Sequence, residues 1–321
     1  MSKWKIPPEG GHMDLATGIY FQNMTGKEIE KRLKKNDLII IPVGSTENHG
    51  PHACSGEDTF LLTRLAEQVA LKTGCTVAQP VWYGSHPCNH LGMPGTIVVP
   101  EEDLAAYLRA IIAGFWNAGF RKQIFINGHA QDYVIPTAIH QFGKRFQVPA
   151  IVAYLNWWFS IRKHIRTMEY GGPFETPFVH ADECETSFSL ALFPEMINMK
   201  DAVNTKSEMY IKDGIVDKSG LAYGYPMRFY DHIGLTGMEL LVTPEGVVGK
   251  SKLASAEKAK PGVEAAMDYL EDLVNEIMKK FPAGKLPPTE KMTQRSKEEI
   301  EAVLKGPRNG GKHIYTICYP T

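Results

Sequence analysis

The sequence has little of what marks a secreted, a membrane-bound or a nucleic-acid-binding protein. Its five cysteines are an odd number without a CxxC pair, which favours a reducing compartment over a disulfide framework. No stretch reaches the roughly 20 apolar residues of a membrane helix, and the first residues lack the apolar centre of a signal peptide. The net charge is −1, and the lysines and arginines are scattered, so no patch for nucleic acid or an anionic membrane is evident. We therefore set these partners aside and expect a cytoplasmic protein.

Internal repeats and low-complexity tracts are also missing, so the chain is expected to fold as a globular protein. Its 321 residues, of which 43% are hydrophobic, suffice for one large domain or two smaller ones. Composition divides the chain into an extended Gly- and Pro-rich arm (1–24), a central domain (25–281) and a C-terminal extension (282–321). We expect the arm to pack over another surface, which could belong to a neighbouring subunit. The extension is rich in Lys and Pro, so we expect it on the surface.

Strands and helices alternate along the first half of the central domain. Short apolar runs predict strands at 39–43, 76–82, 123–126 and 150–155. Apolar residues at helical spacing predict helices from residue 25 onwards and at 60–72, 101–119 and 135–146. Beyond residue 156 the pattern loosens into aromatic loops near 210 and 223–230, between a helix that opens after 180 and a last one at 251–281. The alternation predicts an α/β fold with a mostly parallel central sheet and helices on both faces.

The stretch 39–58, IIIPVGSTENHGPHACSGED, combines a buried strand with a run of residues that can bind metals. Glu47 and His49 are two residues apart, which turns both side chains to the same side of an extended segment. Asp58 lies at the start of the following helix, and His52 and Glu57 lie between. Open α/β sheets bind their ligands at the carboxyl ends of the strands. We therefore expect the chemistry of this protein at the end of the first strand.

Two further segments place similar residues after other strands or at helix starts. They are NGH at 127–129 and HADECETS at 180–187. In a parallel sheet these segments would converge with 47–58 on one edge. Carboxylates and imidazoles in this mixture suit Zn, Mn or Fe, and a carboxylate shared by two ions would let them acidify one water molecule. The co-occurrence of the three segments predicts a metal site.

Simpler interpretations compete at several of these positions. A lone histidine in a loop is more often a surface or hydrogen-bonding residue than a ligand. His86 and His90 lie in the Gly- and Pro-rich loop 82–100, which could equally serve as a subunit contact. The adjacent Trp157 and Trp158 are as consistent with core packing as with a wall of a substrate site.

The order of the motifs VGSTENHGPH, GED, NGH and HADECETS resembles the creatininase family, a family of metal-dependent hydrolases. The resemblance spans about 25–281 and implies a three-layer α/β/α sandwich with a mostly parallel central sheet. It also implies that Glu47, Asp58 and His129 hold one metal ion. His49 and Asp58 would hold a second, with Asp58 bridging the two, and His180 would face the substrate as a proton donor. Glu57 and His52 match no motif position and are expected in supporting roles.

Gln131 departs from the family pattern. Creatininase has a glutamate at this position, and a neutral amide is a poorer ligand for a divalent ion than a carboxylate. Either Glu183 or Glu185 completes the second site, or that site is weak. We predict Glu185 as a metal ligand and Glu183 as a compensating ligand or catalytic base. The remaining predicted substrate contacts are His90, Gln131, Trp157 and Trp158.

The ligand set implies hydrolysis, in which metal-activated water attacks a carbonyl and an acid protonates the leaving group. The N-terminal arm, the segment 82–96 and the aromatic loops are similar to a subgroup that opens an oxidised inositol ring of the 3-dehydro-scyllo-inosose type by C–C hydrolysis. This is the preferred substrate. An amidohydrolase acting on a cyclic amide or a formamide, and a non-catalytic metal-binding protein, remain alternatives. The resemblance further implies one or two divalent ions per subunit and a ring-shaped homo-oligomer, commonly a hexamer.

Overall fold

Four parallel strands form the centre of the fold. A computed structural model describes residues 3–8, 13, 15, 18–86, 90–206 and 244–317, so the predicted aromatic loops near 210 and 223–230 lie outside the described residues. The strands lie side by side in the order β2-β1-β3-β4. They are β1 (Leu38–Val43), β2 (Thr76–Val77), β3 (Lys122–Asn127) and β4 (Ile151–Asn156). Val43, Asn127 and Asn156 are in register, so three strands end at one edge of the sheet.

Helices cover both faces of this sheet. They are α1 (Gly26–Leu33), α2 (Glu57–Thr73), α3 (Glu101–Ala118), α4 (Val134–Phe146), α5 (Trp157–Ser160), α6 (Glu183–Leu192), α7 (Ala256–Lys280) and α8 (Lys297–Lys305). Successive side chains of a strand point to opposite faces. Ile40 of β1 accordingly packs into a core with α2, α6 and α7. Its neighbour Ile41 packs into a second core with α3, α4 and α8. The predicted three-layer α/β/α arrangement is confirmed.

Local signals in the sequence account for several element boundaries. Thr25 and Glu28 form the capping box that starts α1. Gly74 and Gly119 end α2 and α3 in the left-handed conformation that glycine adopts without strain. The second strand is shorter than the predicted 76–82, because Pro80 has no N–H to donate to the sheet. Only Thr76–Val77 pairs continuously, and the Val81 N–H then donates to the Pro42 carbonyl at 3.0 Å.

Segments outside the central domain pack against it within the same chain. Trp4 of the arm is buried in the first core, and its indole N–H donates to Asp268 of α7 at 2.8 Å. After Pro282, Val303 and Ile314 are buried in the second core. The expected surface position of 282–321 therefore does not hold for these apolar side chains. No helix in the described part of the chain is long and apolar enough to span a bilayer.

Candidate metal centre

The carboxyl edge of the sheet brings three loops within contact distance. The loop after β1 passes directly over the first turn of α2, where a Cβ on Gly44 would lie 2.2 Å from Thr59 Oγ1. The loop after β3 crosses the same turn, where a Cβ on Gly128 would lie 2.5 Å from the Asp58 carbonyl oxygen. Only glycine permits either approach. These two close crossings place the segments 47–49 and 129–131 on either side of Asp58.

One group of metal-type ligands forms around Glu47. Its carboxylate lies with His86 and His129, and their ligand atoms are all within 4.8 Å of one another. His129 Nδ1 is 3.0 Å from Glu47 Oε2, and His86 Nδ1 is 3.6 Å from Glu47 Oε1. His90 also contacts Glu47 Oε1 through Nδ1. All four side chains are buried. We call this the Glu47 group.

A second group forms around His49. It contains His49, Glu57, Asp58 and Glu185, again with ligand atoms within 4.8 Å of one another and with every residue buried. His49 Nε2 lies 3.5 Å from Glu57 Oε2, 3.6 Å from Asp58 Oδ1 and 3.7 Å from Glu185 Oε2. These separations exceed hydrogen-bond length, and Nε2 is buried without a hydrogen-bond partner. We call this the His49 group.

Asp58 connects the two groups. Its Oδ1 faces His49, while its Oδ2 is 3.2 Å from His129 Nδ1. The Ser45 hydroxyl donates to Oδ2 and helps to hold the carboxylate in this orientation. A carboxylate with one oxygen towards each group can bridge two ions, which is the arrangement that the sequence predicts for Asp58.

Three histidines of the site share one hydrogen-bonding pattern. His49 Nδ1 lies 3.1 Å from the Glu47 carbonyl oxygen, His129 Nε2 lies 2.9 Å from that of Ser85, and His180 Nε2 lies 2.7 Å from that of Asn48. Because a carbonyl oxygen only accepts, the nitrogen beside it carries the proton. In the neutral ring, the other nitrogen then presents a lone pair to the site. Histidines that bind metals are usually oriented in this way.

With neutral histidines and ionised carboxylates, the site would carry excess negative charge. In the described part of the chain, Glu47, Glu57, Asp58 and Glu185 form ion pairs with histidines and with no lysine or arginine. Burial, together with neighbouring carboxylates, raises the pKa of Glu57 to about 7 and that of Glu185 well above its usual value. Such a set of buried carboxylates and imidazoles fits a divalent ion, which would compensate the charge.

The histidines respond to the same charges. Burial alone would lower the pKa of His49 and His129, but nearby carboxylates raise both well above the usual value. Asp58, Glu185 and Glu57 act on the pKa of His49, and Glu47 and Asp58 act on that of His129. Burial lowers the pKa of His180 to about 3, helped by His49 and His90 and opposed by Glu47. His180 is therefore neutral at neutral pH. Its Nδ1 is 3.9 Å from both Glu47 Oε2 and Glu185 Oε2, so it lies between the two groups.

The structure brings together most of the predicted site. Near Asp58 it places Glu47, His49, His129, His180, Glu185 and His90. Glu185 is held by the N–H of Ala181, a residue with a positive φ of 48° just after His180. Asp182 caps α6 by accepting from the N–H groups of Cys184 and Glu185. The helix start thus fixes His180 and Glu185 relative to each other.

The predicted catalytic role of Glu183 has no support from the geometry. Its carboxylate accepts from the N–H groups of Glu175 and Thr176, and from Lys258 Nζ at 2.6 Å. It belongs to neither ligand group within the described residues. The reason is helical geometry, since residues two apart on a helix point to nearly opposite sides. Glu185 faces the metal site, and Glu183 faces α7.

Three predicted substrate contacts likewise have other partners. The Gln131 amide is buried, donates to the Gly44 carbonyl at 3.0 Å and accepts from the Ser85 N–H at 3.2 Å. Trp157 and Trp158 are buried in the first core, where Trp157 packs against Phe188 with ring centroids 4.7 Å apart. Of the two interpretations of these tryptophans, the structure supports core packing.

Sequence reasoning missed Glu57 and His86 as members of the ligand groups. Glu57 was set aside because it matches no motif position, and His86 because its loop could serve another purpose. The available signal for Glu57 is its place beside Asp58 in the first turn of α2, where both carboxylates remain near the end of β1. For His86 the structure shows a second link, since its ring lies 4.5 Å from that of His129 between centroids.

Known proteins match this chain along most of its length. The creatininase family profile, described as creatinine amidohydrolase, matches residues 22–274. The 3-dehydro-scyllo-inosose hydrolase of Thermotoga maritima is 60% identical over 305 residues, which cover 95% of this chain and 98% of that protein. The creatinine amidohydrolase of Pseudomonas putida is 24% identical over 82% of this chain and 98% of that protein.

Solved structures agree with the fold. A creatininase structure in its manganese form has a TM-score of 0.64 and 22% identity, and the match covers 82% of this chain and 99% of that one. The motif order, the α/β/α layers and the full-length match all lead to the same assignment. The chain belongs to the creatininase family of metal-dependent hydrolases.

Proposed function

We propose that this protein hydrolyses a carbon–carbon bond of an oxidised inositol of the 3-dehydro-scyllo-inosose type and so opens the ring in inositol catabolism. The observation that carries this proposal is the 60% identity with the Thermotoga maritima hydrolase over nearly the whole of both chains. The buried, acidic and histidine-rich site at the carboxyl edge of the sheet suits such a small polar substrate.

We propose that seven residues hold divalent ions. Glu47, His86, His129 and Asp58 would hold one ion, and Asp58, His49, Glu57 and Glu185 the other. When bound, such ions acidify water and polarise a carbonyl oxygen. Asp58 would be shared, because its two oxygens face the two groups separately.

His180 is placed to move the proton. Its Nε2 proton is held by the Asn48 carbonyl, so its Nδ1 lone pair faces the site between Glu47 and Glu185. We propose that Nδ1 takes a proton from the attacking water and then delivers it to the leaving carbon. The sequence predicts His180 as a proton donor, and this role corresponds to the second step, in which His180 delivers the proton to the leaving carbon.

The reaction balances with water alone. In a ring with two carbonyls separated by one carbon, the water oxygen bonds to one carbonyl carbon. The bond from that carbon to the central carbon breaks, and its electrons form an enolate conjugated with the second carbonyl. The proton returned by His180 ends on the central carbon. One ketone and one carboxylic acid result in an open chain, and the acid releases the second proton of the water to solvent as it ionises.

The test is to assay the purified, metal-loaded protein with the oxidised inositol in water enriched in ¹⁸O. The proposal expects an open-chain acid with one ¹⁸O in the new carboxylate, found by mass spectrometry. The matched substrate is creatinine, whose conversion to creatine would break a C–N bond instead. Turnover of creatinine or a formamide without turnover of the inositol would replace the proposal with amidohydrolase activity. A saturated metal content without turnover of any of these would favour a metal-binding protein.

We also propose the predicted homo-oligomer, a hexamer by family resemblance. Support comes from Tyr83 and Tyr107, which are 53% and 58% exposed and line one groove of about 690 Å³. Exposed apolar patches of this kind often mark protein contacts. Light scattering should give a multiple of 35.8 kDa, and Tyr107→Glu should lower it. A wild-type mass equal to one chain would contradict the assembly.

The predicted cytoplasmic location also remains a proposal. Its support is that Cys54, Cys75 and Cys184 are free thiols, as suits a reducing compartment.

A further inference from the structure

The Gln131 side chain is held by the protein at a position where the family resemblance implies a metal ligand. By that resemblance Gln131 stands in place of a glutamate, and its amide contacts the backbone and Asn127. The side-chain nitrogen donates to the Gly44 carbonyl at 3.0 Å and to Asn127 Oδ1 at 3.2 Å, and the side-chain oxygen accepts from the Ser85 N–H at 3.2 Å. Gln131 is fully buried by these contacts and joins the loops after three strands. The His49 group therefore needs another carboxylate.

Glu57 occupies the place from which that carboxylate can come. It is 1% exposed in the first turn of α2, and its Oε2 is 3.5 Å from His49 Nε2. Its other oxygen, Oε1, accepts a hydrogen bond from the Ser189 hydroxyl of α6. This bond fixes the side chain with one oxygen anchored and the other directed at the His49 group.

A separate observation on His49 points to the same set of ligands. His49 is 1% exposed, and its Nδ1 is tied to the Glu47 carbonyl. Its Nε2 is directed at three carboxylates, yet no hydrogen bond satisfies it. A buried ring nitrogen without a hydrogen-bond partner is costly, and a ligand in that direction would satisfy it. The carboxylate oxygens and the imidazole nitrogen together offer the donors of a divalent-ion site.

We infer that Glu57 is a direct ligand of the second metal ion and takes over the place that Gln131 has left. The ligands of that ion are His49, Glu57, Asp58 and Glu185, and Ser189 positions Glu57 from α6. This inference rests on metal binding in the proposed function and not on the identity of the substrate. Gln131, in turn, holds the loops together and does not bind metal.

The test is Glu57→Gln, which keeps the size of the side chain and its contact with Ser189 but removes the negative charge. Loss of hydrogen-bond partners outside the ligand shell already weakens metal affinity by roughly 10–100-fold. Replacing a direct ligand should therefore lower the affinity for the second ion by more than about 100-fold. After dialysis, elemental analysis should find two ions per wild-type chain and one per variant chain. Titration with Co²⁺ should show the loss of one of two absorption steps.

Glu67→Gln is the matched control. Glu67 is also buried on α2 and loses the same charge, but it bonds to the Tyr20 hydroxyl at 3.0 Å, away from the site. This variant should keep both ions. Circular dichroism of the metal-free proteins establishes that Glu57→Gln is folded. Two ions bound to Glu57→Gln with wild-type affinity would overturn the inference. If the wild-type protein binds two ions but fails to hydrolyse the oxidised inositol, only the proposed substrate is overturned, and the inference about Glu57 stands.

Discussion

At the scale of single residues, the direction of each side chain decides its role in the site. The sequence motifs correctly indicated that Glu47, His49, Asp58 and His129 come together, because all follow strand ends. They could not show that His49 and His129 each turn a lone pair inwards, since this depends on the carbonyls of the Glu47 and Ser85 backbone. Helical geometry alone separates Glu183 from Glu185, because both lie in the helix that the sequence predicts after residue 180.

The first residue-scale prediction concerns Asp58→Asn. An amide binds divalent ions more weakly than a carboxylate and cannot bridge two of them well. Because Asp58 faces both ligand groups, both ions should be lost together, and activity with them. Elemental analysis of the dialysed variant measures this. Full occupancy of both positions would disprove the bridging role.

The second concerns His180→Asn. His180 lies between the ligand groups. Because we assign its Nδ1 to proton transfer and not to an ion, metal content should stay at the wild-type level. General acid–base catalysis contributes about 10²–10⁴-fold, and turnover should fall by that factor. His140→Asn, at an exposed position of α4, is the control and should turn over normally. An unchanged rate in His180→Asn would show that another group moves the proton.

At the scale of elements, the sequence predicted type and order better than ends. The strands β1, β3 and β4 and the helices α3 and α4 lie close to their expected positions, because apolar periodicity reports burial directly. Apolar periodicity indicates α2 only from residue 60, whereas the helix begins at Glu57. Gly56 offers no side-chain cap to mark this start. Helix ends depend on such local caps more than on periodicity.

A prediction at this scale concerns the cap of α6. Asp182→Ala removes the acceptor for the N–H groups of Cys184 and Glu185 and should lower the free energy of unfolding by about 1–2 kcal/mol. Metal affinity should also fall, because this helix start holds His180 and Glu185. Ser296→Ala removes the cap of α8, far along the chain, and should cost about 1 kcal/mol without loss of metal affinity. Urea unfolding and metal titration of both variants compare the two effects. Equal metal affinity in both would show that the cap of α6 only stabilises the fold.

At the scale of the whole molecule, one sheet separates two cores, and both ends of the chain close over them. The layer order follows from the alternation of strands and helices and could be read from the sequence. The packing of the two chain ends against the cores could not be read from the sequence. Trp4 meets Asp268 across 264 residues, and Ile314 enters the core beside α3 and α4. Such contacts are set by the surface that the finished domain leaves uncovered, which no local pattern encodes.

The last prediction follows from the charge buried at the edge of this sheet. A bound ion at 100 times its dissociation constant stabilises the fold by about 2.7 kcal/mol. At about 2–4 °C per kcal/mol, removing it with a chelator should lower Tm by roughly 5–10 °C in calorimetry.

The difference in Tm between the metal-loaded and the metal-free protein should grow from pH 6 to pH 8. The pKa values of His49 and His129 are raised in the folded protein. Below the unfolded pKa of about 6.5, their protons therefore stabilise the metal-free fold. This stabilisation is lost as the pH rises towards the raised pKa values. The affinity for metal ions rises over the same pH range, because the ions bind only when both imidazoles are neutral. As a control, the chelator should leave the Tm of Asp58→Asn unchanged. An equal Tm for the metal-loaded and the metal-free wild-type protein would contradict the prediction, because it would show that the buried carboxylates do not destabilise the fold without an ion.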